Sequence, residues 1–407
     1  MSTDNQRSLR VFYFTGPGTP IGPYQSWKKG ELYPKEFNIP YSTQFYEICQ
    51  ELNCQAYVVG LGEEKHEIIK DDQFTVEHLP KPKVFNKNSG ITYYVNEIIY
   101  AFILIFKALK FKANLVVGST PVGLFFISSI LNWFKVKVVT QNGCVLISKD
   151  EKQTLLSKLN LRLAIKAYQK YIYSCLNHSD DITKQIQQLT EGKHPPLIRF
   201  IAKYPRSQFL KIKDPDFDLP TFNVLFIGRI ETNKGVFLLL EIAKQLVVEG
   251  KNNISFDICG SGSQLETLKD AVKNEHLESS FICHGFSNRQ QLIERLGESH
   301  IVIVPTLSSF IEGYNQVVLE GVLAGRPVIT SQVCPAIWDV KEAVVEAEID
   351  SWESYKDCLL KLYNQRDLYE EKRNAALSLR ERFFDSPEVF QNQLKKIMLE
   401  VQKQISD

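Results

Sequence analysis

Two carboxylates stand eight residues apart, Glu312 and Glu320, in the stretch Ile311-Glu312-Gly313-Tyr314-Asn315-Gln316-Val317-Val318-Leu319-Glu320-Gly321. Glu312 follows the apolar run 301–305 in a turn marked by Gly313 and Asn315. Glu320 falls in an apolar segment, 317–323, that reads as a helix closed by Gly325. Glu312 is therefore expected at the helix mouth, beside unpaired backbone N–H groups and the positive end of the dipole. If all the steps are helical, Glu320 lies roughly 12 Å further along. One carboxylate can then hold hydroxyls of a sugar ring and the other hydroxyls of a ribose, the two ends of a nucleotide-sugar. Taken alone, the pair fits ordinary helix-start and helix-surface glutamates equally well. A second group carries the opposite charge. Arg229 and Lys234 flank a loop after the apolar run 222–227, with a helix beginning at Gly235. Two cations on the edge where open α/β sheets bind ligands make a site for a diphosphate. If a bond to that diphosphate breaks, they stabilise the charge on the leaving group without a metal. Gly260-Ser261-Gly262 opens a further helix, but the sixth position of a dinucleotide fingerprint is Leu265. Its better use is close approach of a phosphate or ribose to the backbone.

The elements that must position these residues alternate between strand and helix throughout. In the first half, strands are expected at 10–14, 56–60, 113–117, 136–140 and 171–176, with helices at 43–52, 95–111, 124–134 and 152–169. Residues 22–40 read as a long irregular loop. Its Tyr24, Trp27, Lys28 and Lys29 are either acceptor-recognition residues or parts of a packed loop. The charged, proline-bearing stretch 206–220 reads as a solvated linker, and its Asp214-Pro215-Asp216 as no metal site. Strands at 222–227, 254–259, 281–286, 301–305 and 328–329 follow, with helices at 235–249, 262–274, 288–297 and 317–323. A helical tail begins at 351 and ends in one terminal helix over 383–405. The organisation expected is a first α/β domain over 1–205, the linker 206–220, a second α/β domain over 221–384, and a terminal segment 385–407.

Bulk properties narrow the class. A chain of 407 residues is long enough for two cores. A net charge of +1 argues against a nucleic-acid-coating surface. The eight cysteines form no CxxC pair and no Cys/His cluster at zinc spacing, so reduced, mostly buried thiols are expected. The polar start 1–7 has no apolar signal region, and a cytoplasmic location is expected. The longest apolar run, 98–106, is shorter than the roughly 20 residues of a membrane span. It reads as a buried helix under the sheet. The alternative, from Lys107, Lys110 and Lys112, is a peripheral contact with the inner face of a membrane.

Five blocks in order carry a resemblance. They are Phe226-Ile227-Gly228-Arg229 with Lys234-Gly235, Ile258-Cys259-Gly260-Ser261-Gly262, His284-Gly285-Phe286, Val304-Pro305 with the Glu312 to Glu320 stretch, and Ala324-Gly325-Arg326-Pro327-Val328-Ile329. They resemble the donor-binding domain of the family-4 glycosyltransferases of GT-B fold, with their E-x7-E motif. The resemblance implies two Rossmann-like domains facing across a cleft, with the C-terminal helix crossing back to the first. It implies transfer of a sugar, with retention and without a metal, from a nucleotide-diphosphate sugar to a hydroxyl acceptor. The donor expected is a UDP-sugar, with a GDP-sugar as second choice, and the acceptor a glycan, a lipid-linked sugar or a small molecule. No cofactor and no nucleic acid are implied. The site residues implied are Arg229 and Lys234 on the diphosphate and Glu312 against the sugar, with the backbone of Gly313, Tyr314, Asn315 and Gln316 nearby. Glu320 falls on the ribose and the backbone around Phe286 on the base, with Gly228, Gly260 and Gly262 lining the donor and Gly16 approaching the diphosphate from the first domain. Asn142 stands where the family has a histidine on the donor sugar; an amide hydrogen-bonds but carries no charge. Its presence, and the altered first loop Gly16-Pro17-Gly18, keep open a non-catalytic nucleotide-sugar-binding protein, and an epimerase or hydrolase of the same fold is the other alternative.

Overall fold

The run Val11-Phe12-Tyr13-Phe14 has no polar residue because both of its faces are covered, as parallel strands in α/β layers require. The structure, a computed structural model, describes residues 8–62, 65–81, 91–119, 124–147, 154–310 and 312–406. The expected polar start 1–7, the helix start at Lys152 and Ile311 lie outside these. The chain divides into two compact units. The first comprises residues 1–33, 38–203 and 386–407, the second Pro34–Phe37 and Tyr204–Asp385.

In the first unit the chain runs β1 (Arg10–Pro17), α1 (Ile21–Lys28), α2 (Tyr41–Glu51), β2 (Gln55–Gly62), β3 (Glu67–Lys70), β4 (Phe74–Pro80) and α3 (Ile91–Lys110). It continues through β5 (Leu115–Ser119), α4 (Leu124–Trp133), β6 (Lys137–Asn142), α5 (Leu155–Lys170), β7 (Ser174–Asn177), α6 (Asp180–Leu189) and β8 (Leu197–Arg199). Among the described residues the strands form one sheet in the order β3-β4-β2-β1-β5-β6-β7-β8, parallel except for β3. Alternation along β1 separates its two faces. Val11 and Tyr13 join a core with Phe45, Tyr46 and Ile48 of α2, and Phe12 and Phe14 join another with Leu104 and Ile105 of α3 and Leu131 of α4.

The second unit opens with a short helix, α7 (Arg206–Phe209). It continues through β9 (Phe222–Ile227), α8 (Val236–Val248), β10 (Ile254–Cys259), α9 (Leu265–Asn274), β11 (Phe281–Gly285), α10 (Arg289–Glu298), β12 (Ile301–Val304), α11 (Gln316–Leu323), β13 (Val328–Thr330) and β14 (Val344–Glu346). Its sheet is parallel, in the order β11-β10-β9-β12-β13-β14. Helices α12 (Trp352–Asn364) and α13 (Arg366–Asp385) complete the unit. The chain then returns to the first unit as α14 (Phe390–Ser406), whose Phe390, Leu394, Ile397 and Met398 enter the core beneath β1. Phe390 N–H donates to the carbonyl of Ile201 at 3.2 Å as it arrives.

Four segments differ from expectation. The loop 22–40 contains α1. Tyr24 is buried in an aromatic cluster with Trp27, Tyr46 and Phe74, its hydroxyl donates to Asp71, and Lys28 pairs with Asp71 at 2.8 Å. Packing of these rings accounts for the aromatic composition there. The single terminal helix over 383–405 is two helices, broken at Ser386-Pro387, because proline lacks an N–H and disfavours helix in the residue before it. The apolar run 98–106 belongs to a longer helix, α3, of which the 19-residue stretch Thr92–Lys110 has a mean hydropathy of 1.3 and is long and apolar enough to cross a membrane by length and composition. Only part of it is buried. The segment 206–220 lies on the second unit, where Phe217 packs at 4.9 Å on His300 and 4.8 Å on Tyr369, and Arg373 pairs with Asp214.

Candidate active site

Strand order locates the site. From β9 the chain steps to β10 and β11 on one side, then to β12, β13 and β14 on the other. The carboxyl ends of β9 and β12 therefore flank a switch point, where the loops on either side diverge and leave a crevice. The loop after β9 carries Arg229 and Lys234, and the loop after β12 carries Phe310 and Glu312. Lys234 Nζ donates to Glu312 Oε2 at 2.5 Å, with both side chains about one-eighth exposed, at 12% and 13%. The same ammonium lies 3.9 Å from the centroid of Phe310, and the exposed Arg229 guanidinium 5.4 Å from it. Asn315 Nδ2 donates to Glu312 Oε2 at 3.3 Å while its Oδ1 caps α11 by accepting from Val317 N–H at 3.1 Å. Glu312 thus precedes the cap, and only the steps from Gln316 onward to Glu320 are helical. Nearby, Asn233 Oδ1 is buried without a partner among the described residues. The crevice combines two cations, a carboxylate and amide groups, a set suited to an anion that carries hydroxyls.

Glu320 is not on the helix surface; it is 6% exposed. Burial raises its pKa from 4.5 to about 7, against the opposing pull of Arg289. Arg289, the first residue of α10, interacts with both Glu320 and Glu36, and its Nη2 donates to Gln208 Oε1 and to the Phe37 carbonyl. A carboxyl that binds its proton more tightly when folded stabilises the protein below its unfolded pKa and loses that contribution as pH rises through the folded value. The unliganded protein should therefore lose stability between pH 4.5 and about 7. Glu320→Gln should flatten that slope in urea unfolding measured across this window. An unchanged slope would place the titration elsewhere.

The glycines also meet a packing requirement within the unit. A Cβ on Gly260, at φ +152°, would stand 1.7 Å from the Gly228 carbonyl oxygen, and one on Gly262 2.3 Å from that of Ile230. Ile230 N–H donates to the Ser261 carbonyl and Gln264 N–H to the Ile230 carbonyl, so the loops after β9 and β10 lie backbone against backbone. Gly260 and Gly262 admit the neighbouring loop, and with it fix Arg229. Gly235, at φ +76°, serves similarly, since a Cβ there would stand 2.1 Å from the Pro305 carbonyl oxygen.

The remaining sequence candidates are placed as follows. Gly228 N–H donates to the Cys259 carbonyl. Gly313 and Gln316 are half-buried at the head of α11, and the Tyr314 hydroxyl donates to buried Asp339. Phe286 is exposed beyond the end of β11. Gly16 closes β1 at the switch point of the first unit's own sheet, with a Cβ there 2.9 Å from Ser119 Oγ. Asn142 is the most enclosed of them. It is fully buried, and its Nδ2 donates to Asn177 Oδ1 at 2.8 Å and Thr140 Oγ1 at 3.3 Å, while the Tyr168 hydroxyl donates to its Oδ1 at 3.1 Å. In the unliganded protein this amide joins β6, β7 and α5. Phe310 and Arg289 escaped the sequence reading. Phe310 had no signal beyond its place after β12, and Arg289 only its place at a helix start.

The architecture is the GT-B fold. Over 97% of the chain it superposes on all of a sucrose-phosphate synthase from Thermosynechococcus elongatus, with a TM-score of 0.74 at 11% identity. The Anabaena protein HepE, solved with UDP and glucose, matches 96% of the chain and 99% of its own, with a TM-score of 0.64 at 13% identity. Residues 208–378 match the family model for glycosyl transferases group 1, a range that holds every site residue of the second unit named above except those of the 34–37 segment. A 2-deoxystreptamine N-acetyl-D-glucosaminyltransferase of Niallia circulans is 29% identical over 108 residues, 26% of this chain. That aligned stretch spans 27% of the relative's length.

Proposed function

We propose that the protein transfers a glycosyl group from a nucleoside-diphosphate sugar to a hydroxyl acceptor, as a family-4 type enzyme. The observation that carries this reading is the Lys234–Glu312 pair at the β9/β12 switch point, with Arg229 beside it. Arg229 and Lys234 hold the diphosphate, Lys234 exchanging its carboxylate partner for phosphate oxygens as the donor enters. Glu312, released, accepts hydrogen bonds from sugar hydroxyls, with Asn315 holding its Oε2. Glu320 accepts from a ribose hydroxyl, and the backbone around Gly285 and Phe286 receives the base. The bond from the anomeric carbon to the phosphate oxygen breaks with its electron pair leaving on the diphosphate, which the two cations stabilise. The acceptor oxygen bonds to the same face of that carbon, and its proton passes to the leaving phosphate. Configuration is retained, with no separate nucleophile and no metal. The UDP bound by HepE makes a UDP-sugar the first donor to try.

Thermal unfolding against a panel of nucleoside diphosphates and their sugars, with and without EDTA, tests the donor. A ligand at 100 times its dissociation constant adds about 2.7 kcal/mol of stability. One diphosphate series is expected to protect, equally in EDTA. Protection by none would overturn the reading, and protection lost in EDTA would overturn its metal-free form.

A further inference from the structure

The outward side of α3, α4 and α5 in the first unit has a composition the proposed chemistry does not use. Helix α3 turns Ala101, Leu104, Ile105 and Ala108 into the core but leaves Ile98, Phe102 and Phe106 exposed at 47%, 47% and 66%. Their spacing of four places them on one stripe. Next to it, Trp133 at the end of α4 and Phe134 just beyond it are exposed at 81% and 60%, and α5 presents Leu155, Leu159 and Leu163 at 87%, 54% and 44%. Large apolar side chains grouped this way mark an interaction face. The exposed charge within these helices has one sign. The sole acid within the three helices is Glu97, which is buried and paired with Lys81. Lys110, Lys112, Lys135, Lys158, Arg162 and Lys166 are exposed on or between them. A groove of about 780 Å³ opens along α3, lined by Phe102, Phe106 and Phe111 together with Arg10, Lys70 and Lys110.

We propose that this face docks on an anionic lipid surface, with a phosphate headgroup in the groove and the exposed aromatic rings in the interface. Apolar stripes flanked by cations, with no exposed acid within the three helices, are complementary to such a surface. A two-fold contact with a second copy would instead set these cations against one another. The helix lies on the surface and does not cross it, because its inner face is part of the unit's core. The inference stands apart from the proposed activity and is read without turnover.

The test is co-sedimentation of the full chain with vesicles of equal parts phosphatidylcholine and phosphatidylglycerol, against vesicles of phosphatidylcholine alone. Binding to the anionic vesicles, reversed by salt, is expected. Neutralising two cations together, Arg162→Gln with Lys166→Gln, should weaken it roughly 30-fold, at about 1 kcal/mol for each basic residue near the surface. Phe106→Ser should weaken it at least roughly tenfold. Both variants lie on the surface, and unaltered thermal unfolding would verify their folding. Absence of binding, equal binding to neutral vesicles, or a dimer in sedimentation velocity that Phe106→Ser dissolves would each overturn the proposal. Nucleotide protection is a separate readout, so failure of the activity reading leaves this one standing.

Discussion

Lys234→Ala is expected to lower kcat by roughly two to three orders of magnitude, the loss that follows removal of one group aimed at developing charge. The ammonium lies in a crevice where it and its partner are only 12% and 13% exposed, so little water is present to replace it. Much of the loss should appear in kcat rather than KM, because charge on the leaving diphosphate grows as the bond breaks. Glu312→Gln separates the two roles. It preserves volume and leaves Lys234 free for the diphosphate, so nucleotide protection should persist or strengthen while turnover falls. Lys234→Ala also strands the Glu312 carboxylate, and the stability lost that way should return in the double variant. Donor turnover within a few-fold of the parent in both single variants would remove this pair from the reaction.

The largest stability effect is expected away from the reacting groups, at Arg326. Its guanidinium is 1% exposed and donates Nε to the Leu296 carbonyl at 2.9 Å, Nη1 to Ala324 at 2.9 Å and Nη2 to Gly297 at 3.2 Å and to Lys213. Burial pulls its pKa down to about 10, leaving it charged at neutral pH. One side chain thereby closes the carboxyl end of α10, the end of α11 and the segment before β9. Arg326→Met fills similar volume but takes a donor from four carbonyls, of which that of Leu296 keeps the Ser299 hydroxyl at 3.1 Å. A loss of about 3–5 kcal/mol is expected, the range for removing one partner of a buried charged group. Urea unfolding measures it directly, and the folded fraction should retain its nucleotide protection. A loss under about 1 kcal/mol would mean that water takes over the carbonyls.

The strands of both units were legible as apolar runs because parallel strands under two helix layers bury both faces, and β10 emerges with the limits its run suggests, Ile254–Cys259. The β3–β4 pair escaped because its polar alternation belongs to an edge, where Ile68 stays exposed. Helix α1 escaped because Gly22 and Pro23 read as breakers, although proline is tolerated in a first turn. The 206–220 stretch looked like free linker because its anchors, Arg326, Arg373 and Tyr369, are far along the chain.

At the site, the sequence alone determined which residue types stood at which strand ends, and hence that cations and carboxylates were available on the ligand-binding edge. Local chain chemistry suffices for that, since strand runs, caps and turns are written within a few residues. Tertiary structure decided what each group does. Lys234 and Glu312, 78 residues apart, meet only because β12 is laid beside β9. Glu320 is held near neutrality by burial that helix periodicity did not reveal, and Asn142 is consumed by partners on two other elements. Ionisation and pairing depend on the dielectric and on neighbours distant in sequence, and those exist only once the sheet order is set.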